Sequence, residues 1–396
     1  MKMKPEDRME ALFQRIETAF IFDLVDEIKR QAAEASGNAS QTKRVPADKQ
    51  LAETEKAVKS AILGSDAIVE EAFEDMEYGN EENAIVAGVA VAGIAAAGLT
   101  AKATEVVATN KAATKEAVLH IAKTSGVLVN RSGTYAFESL TEYYNHAVAE
   151  AVRDIARGEA NFNKAVKKII NEVTGSGLRC VNDGPVAMLY DSDITSAGTA
   201  RKRVTTSRIA VAARRSVMTG LSNMTRQIAE KNAELLDTEY FEVSAHSGCR
   251  PSHAEWQGKV YTKEELRTVC GMGTVTGLYG ANCHHHISPF TPGSSTRTYT
   301  DEELEQMIRE DNRKRKFKGK EYTKYEAIQK QRQYESNMRI VRERMAAAER
   351  VGLPDEDITI MKARYKGLRK EYKQFSDAVG EHTHYDRVTI DGLGRI

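Results

Sequence analysis

Apolar residues recur at intervals of three and four near the start of the chain. Leu12, Phe13, Ile16, Phe20, Leu24 and Ile28 fall on one side of a helix, the stripe by which an amphipathic helix faces a core. A polar linker, ASGNASQTKRVP, occupies 35–46. The helical pattern resumes near 47 and breaks at 76–83, where Gly79 and Asn80 are turn formers. Segment 84–101, AIVAGVAVAGIAAAGLTA, carries no charge over 18 residues, the lower end of what spans a bilayer. It is mostly Ala and Gly, and Gly88, Gly93 and Gly98 sit five apart, so they do not share a face as a GxxxG seam would. The spacing favours a buried core helix packed through small side chains; a segment that acts transiently on membranes is the alternative. Helical pattern then runs from about 103 to 172.

Gly175, Gly177, Gly184 and Pro185 mark 173–196 as loop with a short strand. One or two helices follow over 197–236. Tyr240, Phe241 and Val243 alternate as a short strand. The stretch 246–293, rich in Gly, His and Pro, reads as loop and turn. Charged helices are predicted over 301–350 and 355–378, separated by Gly352, Leu353 and Pro354, and the chain closes in an extended tail. The expected fold is mainly α, with long N- and C-terminal helices flanking a small, loop-rich α+β domain. The expected division is 1–155 helical, 156–300 α+β, and 301–396 a charged helical arm and tail.

Composition agrees. Seven prolines in 396 residues leave room for long helices, which proline interrupts. Lys plus Arg number 57 and Asp plus Glu number 57, a balance that excludes a globally basic nucleic-acid coat and a strongly acidic disordered chain. The opening MKMKPEDRMEALFQ has no apolar stretch behind its basic residues, so no secretory signal is expected and synthesis is expected in a reducing cytoplasm.

Candidate chemistry concentrates in one place. Five of the nine histidines and three of the four cysteines lie between His246 and His286. The order is H-x2-C-x3-H (His246, Cys249, His253), then 29 residues, then C-x-H (Cys283, His285). Imidazole and thiolate are the usual zinc ligands, four at a time in a tetrahedron. His246, His253, Cys283 and His285 form one quartet, and Cys249 could replace a member. Without a metal, the same histidines would hydrogen-bond loop backbone and hold an irregular domain together. A metal here is expected to be structural, because a small Gly-rich domain needs a staple. A catalytic zinc would keep one position open and set a carboxylate beside its water; Glu255 and then Glu242 are the candidates.

A second signal is basic. From 194 to 229 there are seven Arg or Lys and no acid. On one continuous helix Arg201, Arg208, Arg215 and Arg226 would fall within about 40° of one another. Such a stripe suits DNA phosphates, an acidic partner, or solvent alone. The run Arg313–Lys320 follows the acidic stretch 301–311 and reads as a solvated face whose charge is met internally. No Walker loop, dinucleotide fingerprint or nucleophile elbow is present.

The same residues carry a family resemblance. EVSAHSGCRPSHAEWQGKVYT (242–262) with GLYGANCHHHISPFTPG (277–293) closely resembles the phage minor capsid protein 2 family. AARRSVMTGLSNMT (212–225) and KGKEYTKYEAIQKQRQYESNMR (318–339) look like its Arg-Arg-x-x-x-Thr-Gly and Tyr-Glu-x-x-Gln-x-Gln-Arg helices. The motifs are dense over about 200–345. The family is distantly similar to Mu-type head morphogenesis proteins. The resemblance implies a non-enzymatic virion component, made in the bacterial host cytoplasm, sitting in the head near the portal and aiding assembly, packaging or ejection. Portal and major capsid proteins are its implied partners, with packaged DNA a further one. Family positions carry over to His246, Arg250, His253, Trp256, Gln257, Asn282, Cys283 and His285; Cys249 is usually a small residue there, which favours the quartet without it. A zinc-dependent hydrolase or nuclease, and a membrane-active ejected protein, are the alternative functions.

Overall fold

Helix α1 (Pro5–Ala35) forms on the stripe that its sequence lays out: Phe13, Ile16, Phe20, Leu24 and Ile28 are fully buried and Leu12 is half-buried. The computed structural model describes residues 4–35, 51–86, 95–131, 134–181, 206–389 and 392–394. Helices α2 (Ala52–Val86) and α3 (Ala95–Lys123) extend the first core, to which they give Val69, Phe73, Val107 and Val118. Residues 87–94 of the uncharged segment lie outside the described residues. Among the described residues no helix is long and apolar enough to cross a membrane.

The helix expected over 103–172 is interrupted. After α3 the chain forms β1 (Gly126–Arg131) and β2 (Thr134–Ser139), paired antiparallel from Gly126↔Ser139 to Arg131↔Thr134. Val127 and Val129 alternate inward, a period of two too short to stand out between strong helical patterns. A Cβ on Gly126 would lie 2.3 Å from the Glu138 carbonyl, so the pair closes only on glycine. Helices α4 (Leu140–Ala156) and α5 (Phe162–Ser176) follow. Strands β3 (Leu178–Val181) and β4 (Thr206–Arg208) complete a sheet of order β2-β1-β3-β4.

Helix α6 (Ile209–Leu235) starts later than the pattern over 197–236 suggests, and Arg208 is its N-cap. Its first half, from Ile209 to Met224, belongs to the first core; Ala229 and Ala233 belong to a second. That second core is the His/Cys module. Its strands β5 (Tyr240–Val243), β6 (Val260–Thr262) and β7 (Ile287–Phe290) form an antiparallel sheet of order β6-β5-β7. Short helices α7 (Pro251–Ala254) and α8 (Lys263–Thr268) lie between β5 and β7.

The charged helix expected over 301–350 is also split. Helix α9 (Asp301–Asn312) ends before a hairpin of β8 (Arg315–Phe317) and β9 (Lys320–Tyr322). Its turn residues Lys318 and Gly319 both have positive φ, 47° and 78°, the geometry a two-residue hairpin favours. Helices α10 (Lys324–Val351) and α11 (Asp355–Val379) pair around a third core, where Phe317, Tyr322 and Tyr334 surround Phe375 at 5.1–5.6 Å between ring centroids. Helix α10 is shared: Met338 and Val341 lie in the third core, Ala347, Ala348 and Val351 in the first. The tail is not wholly extended, for it forms a last turn, α12 (Tyr385–Val388).

Candidate metal centre

Two loops meet at the edge of β5 and β7. The first leaves β5 at Ser244, whose backbone N–H donates to the His286 carbonyl at 2.9 Å while its hydroxyl accepts from the His286 N–H at 3.0 Å. That clamp sets the two histidine-bearing segments side by side. Asp311, at the end of α9, accepts from the Ser247 hydroxyl and, at 2.6 Å, from the Gly248 N–H. Pro251 at the first position of α7 turns the chain inward, and His253 (2% exposed), Trp256 and Gln257 become buried.

The second loop, 269–286, is wound tightly. A Cβ on Gly277 would sit 2.0 Å from the Gly271 carbonyl oxygen, an approach that only glycine permits. Arg250 pins this loop to the first by donating to the carbonyls of Thr276 (3.0 Å) and Ala281 (3.1 Å). Asn282 adopts φ +57° and delivers Cys283 to the interior, where Cys283 and His285 are both buried.

Donor atoms of His253, Cys283 and His285 all lie within 4.8 Å of one another. The His246 ring stands 4.4 Å from that of His285, centroid to centroid. The hydrogen bonds orient the imidazoles. His253 Nε2 faces the Thr276 carbonyl at 2.8 Å and His285 Nε2 faces Gln257 Oε1 at 3.0 Å. Gln257 Oε1 also accepts the His246 N–H at 3.1 Å, which fixes it as the oxygen. Each Nε2 is therefore a donor, and each Nδ1 keeps its lone pair. His246 is turned the other way: its Nδ1 donates to the Ser247 carbonyl at 3.2 Å, and its buried Nε2 has no hydrogen-bond partner. Ligating histidines are held this way, one nitrogen on a backbone or side-chain oxygen and the other toward the ion.

Charge and distance fit a metal as well. Burial, then neighbouring imidazoles, push His285 down to about 3, and burial, then His246 and nearby cationic side chains, push His284 to about 4. Burial also lowers His253 and His286. Neutral imidazole is the ligand form. Burial raises the Cys283 thiol, with hydrogen bonds from the His285 and Tyr279 backbone and the charge of Arg250 opposing it; a cation would reverse that balance. Zn–S near 2.3 Å and Zn–N near 2.0 Å put tetrahedral S and N ligands about 3.5 Å apart, and Cys283 Sγ lies 3.5 Å from His285 Nδ1. For the three donor atoms that lie within 4.8 Å of one another, a tetrahedral ion requires closure by up to about 1.5 Å.

Cys249 is buried nearby, its thiol raised to about 11 by burial and then by Asp311 and Cys283. Neither candidate carboxylate joins the donor set. Glu255 is exposed, and Glu242 accepts from the Thr298 N–H at 2.6 Å and hydroxyl at 3.0 Å. Trp256 roofs the cluster, 4.5 Å from the His253 ring and 4.9 Å from that of His285.

The family profile of phage minor capsid protein 2 matches residues 4–377. This chain belongs to the phage minor capsid protein 2 family. No curated protein and no solved structure matches it.

The match takes in the N-terminal helices as well as the motif-rich region, so this phage capsid protein carries the family pattern along nearly its whole length. The arginine stripe is not laid out on one helix, because α6 begins only at Ile209. Arg201 lies outside the described residues. Arg208 donates to the Thr174 and Gly175 carbonyls, Arg215 faces the Ser207 hydroxyl at 3.5 Å, and Arg226 pairs with Glu230 at 3.0 Å. These three guanidinium groups are engaged within the chain. In the 313–320 run, Arg313, Lys314, Lys316 and Lys318 each lie within 4.0 Å of a carboxylate. Asp311, which fixes the first loop from 63 residues away in sequence, had no signal in the sequence.

Proposed function

We propose that this minor capsid protein is a structural component of the phage head, placed near the portal, and that a zinc ion bound by His246, His253, Cys283 and His285 fixes the loops of its central module. The observation that carries the reading is the orientation of three imidazoles. Each gives one nitrogen to an oxygen; donor atoms of His253 and His285 converge with the Cys283 thiol beneath Trp256, and the His246 ring packs against that of His285. Bound there, zinc would join two loops that reach the sheet on opposite sides of β5 and that already share an apolar cluster of Trp256, Leu278 and Cys283. The set contains no carboxylate, which favours a closed structural site over one that activates water. Portal and shell proteins are the partners that the family suggests.

The test is elemental analysis with thiol counting on the full chain, together with quantitation of the chain in purified particles. About one zinc per chain is expected, lost in Cys283→Ser and His253→Gln, with a fixed copy number per particle. A metal-free chain of unchanged thermal stability would refute the zinc reading. Absence from particles would refute the head placement.

A further inference from the structure

Helix α11 buries Tyr365, Tyr372, Phe375, Ser376 and Val379 against its neighbours. Away from that face Lys362, Lys366, Arg369, Lys370 and Lys373 are all exposed. At 100° per residue they occupy an arc of about 100°, along about 16 Å of helix. Asp355 and Asp377 fall on the same arc at its two ends, and no acidic residue shares it between them. Glu371 points elsewhere, to Lys318 of the hairpin. Lys362 and Lys373 have exposed carboxylate partners, Glu349 at 3.1 Å and Asp377 at 2.6 Å, pairs that water and salt screen readily. Lys366 and Lys370 have no ion pair among the described residues.

We infer that this face of α11 binds the phosphate backbone of duplex nucleic acid, independently of base sequence. Each strand of a duplex rises about 3.4 Å per phosphate while winding around the axis, so a straight row of about 16 Å meets about two or three. The arc contains no apolar residue to make the dry centre that a protein partner would need. It has no aromatic residue on which single-stranded bases could stack. Its one guanidinium, Arg369, lies over the Tyr385 ring at 4.9 Å. The chain as a whole is neutral, so binding must come from the local stripe. The inference is independent of the zinc reading, because α11 contributes nothing to the His/Cys cluster.

The test is fluorescence anisotropy with two unrelated labelled duplexes of about 20 base pairs, at several salt concentrations. The wild-type chain should bind both, with log affinity falling linearly in log salt. K366E/K370E should weaken binding at least tenfold, and its slope should shrink by about 1.8, the value for two lost phosphate contacts. K366A/K370A should move both readouts the same way and guards against an effect of charge reversal on folding. K56E/K59E reverses two exposed charges on α2 and should leave binding unchanged. Four results would overturn the inference: no duplex binding by the wild type, K366E/K370E and K366A/K370A both binding as wild type, equal weakening by K56E/K59E, or competition by polyglutamate as strong as by unlabelled duplex. Zinc content is measured alongside and is expected to be the same in every variant.

Discussion

Glu17 gives a quantitative test of the first core. It lies on α1, is 2% exposed, and its Oε1 has no hydrogen-bond partner. Burial raises its carboxyl from 4.5 to about 7, with Glu10 adding to the rise and Arg208, Arg339 and a backbone bond from Leu178 opposing it. Because the folded value is raised, the associated stability is fully present below the unfolded value near 4.5. It is lost as pH rises through about 7. Ionising this carboxyl in the folded state therefore costs about 3 kcal/mol at pH near 8. Glu17→Gln resembles the protonated form and removes that cost. Urea unfolding should show the variant more stable than wild type by about 3 kcal/mol near pH 8 and by less than about 1 kcal/mol near pH 5. The comparison is between proteins at each pH, which cancels the contribution of the depressed histidines. An equal effect at both pH values, or a loss of stability near pH 8, would refute the burial argument.

Two further outcomes follow from packing. Gly220→Ala would bring a Cβ to 1.9 Å from Thr114 Oγ1 and 3.3 Å from Phe73; it should destabilise the α3–α6 contact by about 1–3 kcal/mol, read as a lower urea midpoint. Trp256→Ala removes the ring that covers His253 and His285; it should cost about 3–5 kcal/mol and speed zinc loss to a chelator in a stopped-flow assay.

The sequence made the long elements legible because their buried faces repeat over many turns. Phe13, Ile16, Phe20, Leu24 and Ile28 are all within the core, and Tyr240, Phe241 and Val243 lie in β5. It missed β1–β2 and β8–β9, whose strands of three to six residues are too short to register against flanking helices. At the site, residue types offered His246, His253, Cys283 and His285 with Cys249 as a substitute, the family resemblance favoured the first four, and the structure brings His253, Cys283 and His285 within 4.8 Å of one another. Residue types could not show which imidazole nitrogen was free, since that depends on Thr276 and Gln257, set by loop geometry. The arginine stripe failed as a single helical face for a related reason. Pattern counting assumes an unbroken helix, and β4 takes Arg208 out of it. The row on α11 was hidden inside a charged segment whose burial on one side only the packed structure defines.

Helix α6 has a mechanical consequence. It is 27 residues long, a rod of about 40 Å, anchored at one end among the N-terminal helices and at the other beneath the His/Cys module. Force applied to the module would be transmitted down this rod to the N-terminal helices. A protein so built would move as a lever, and stiffness between its two ends would be part of what it contributes to an assembled particle.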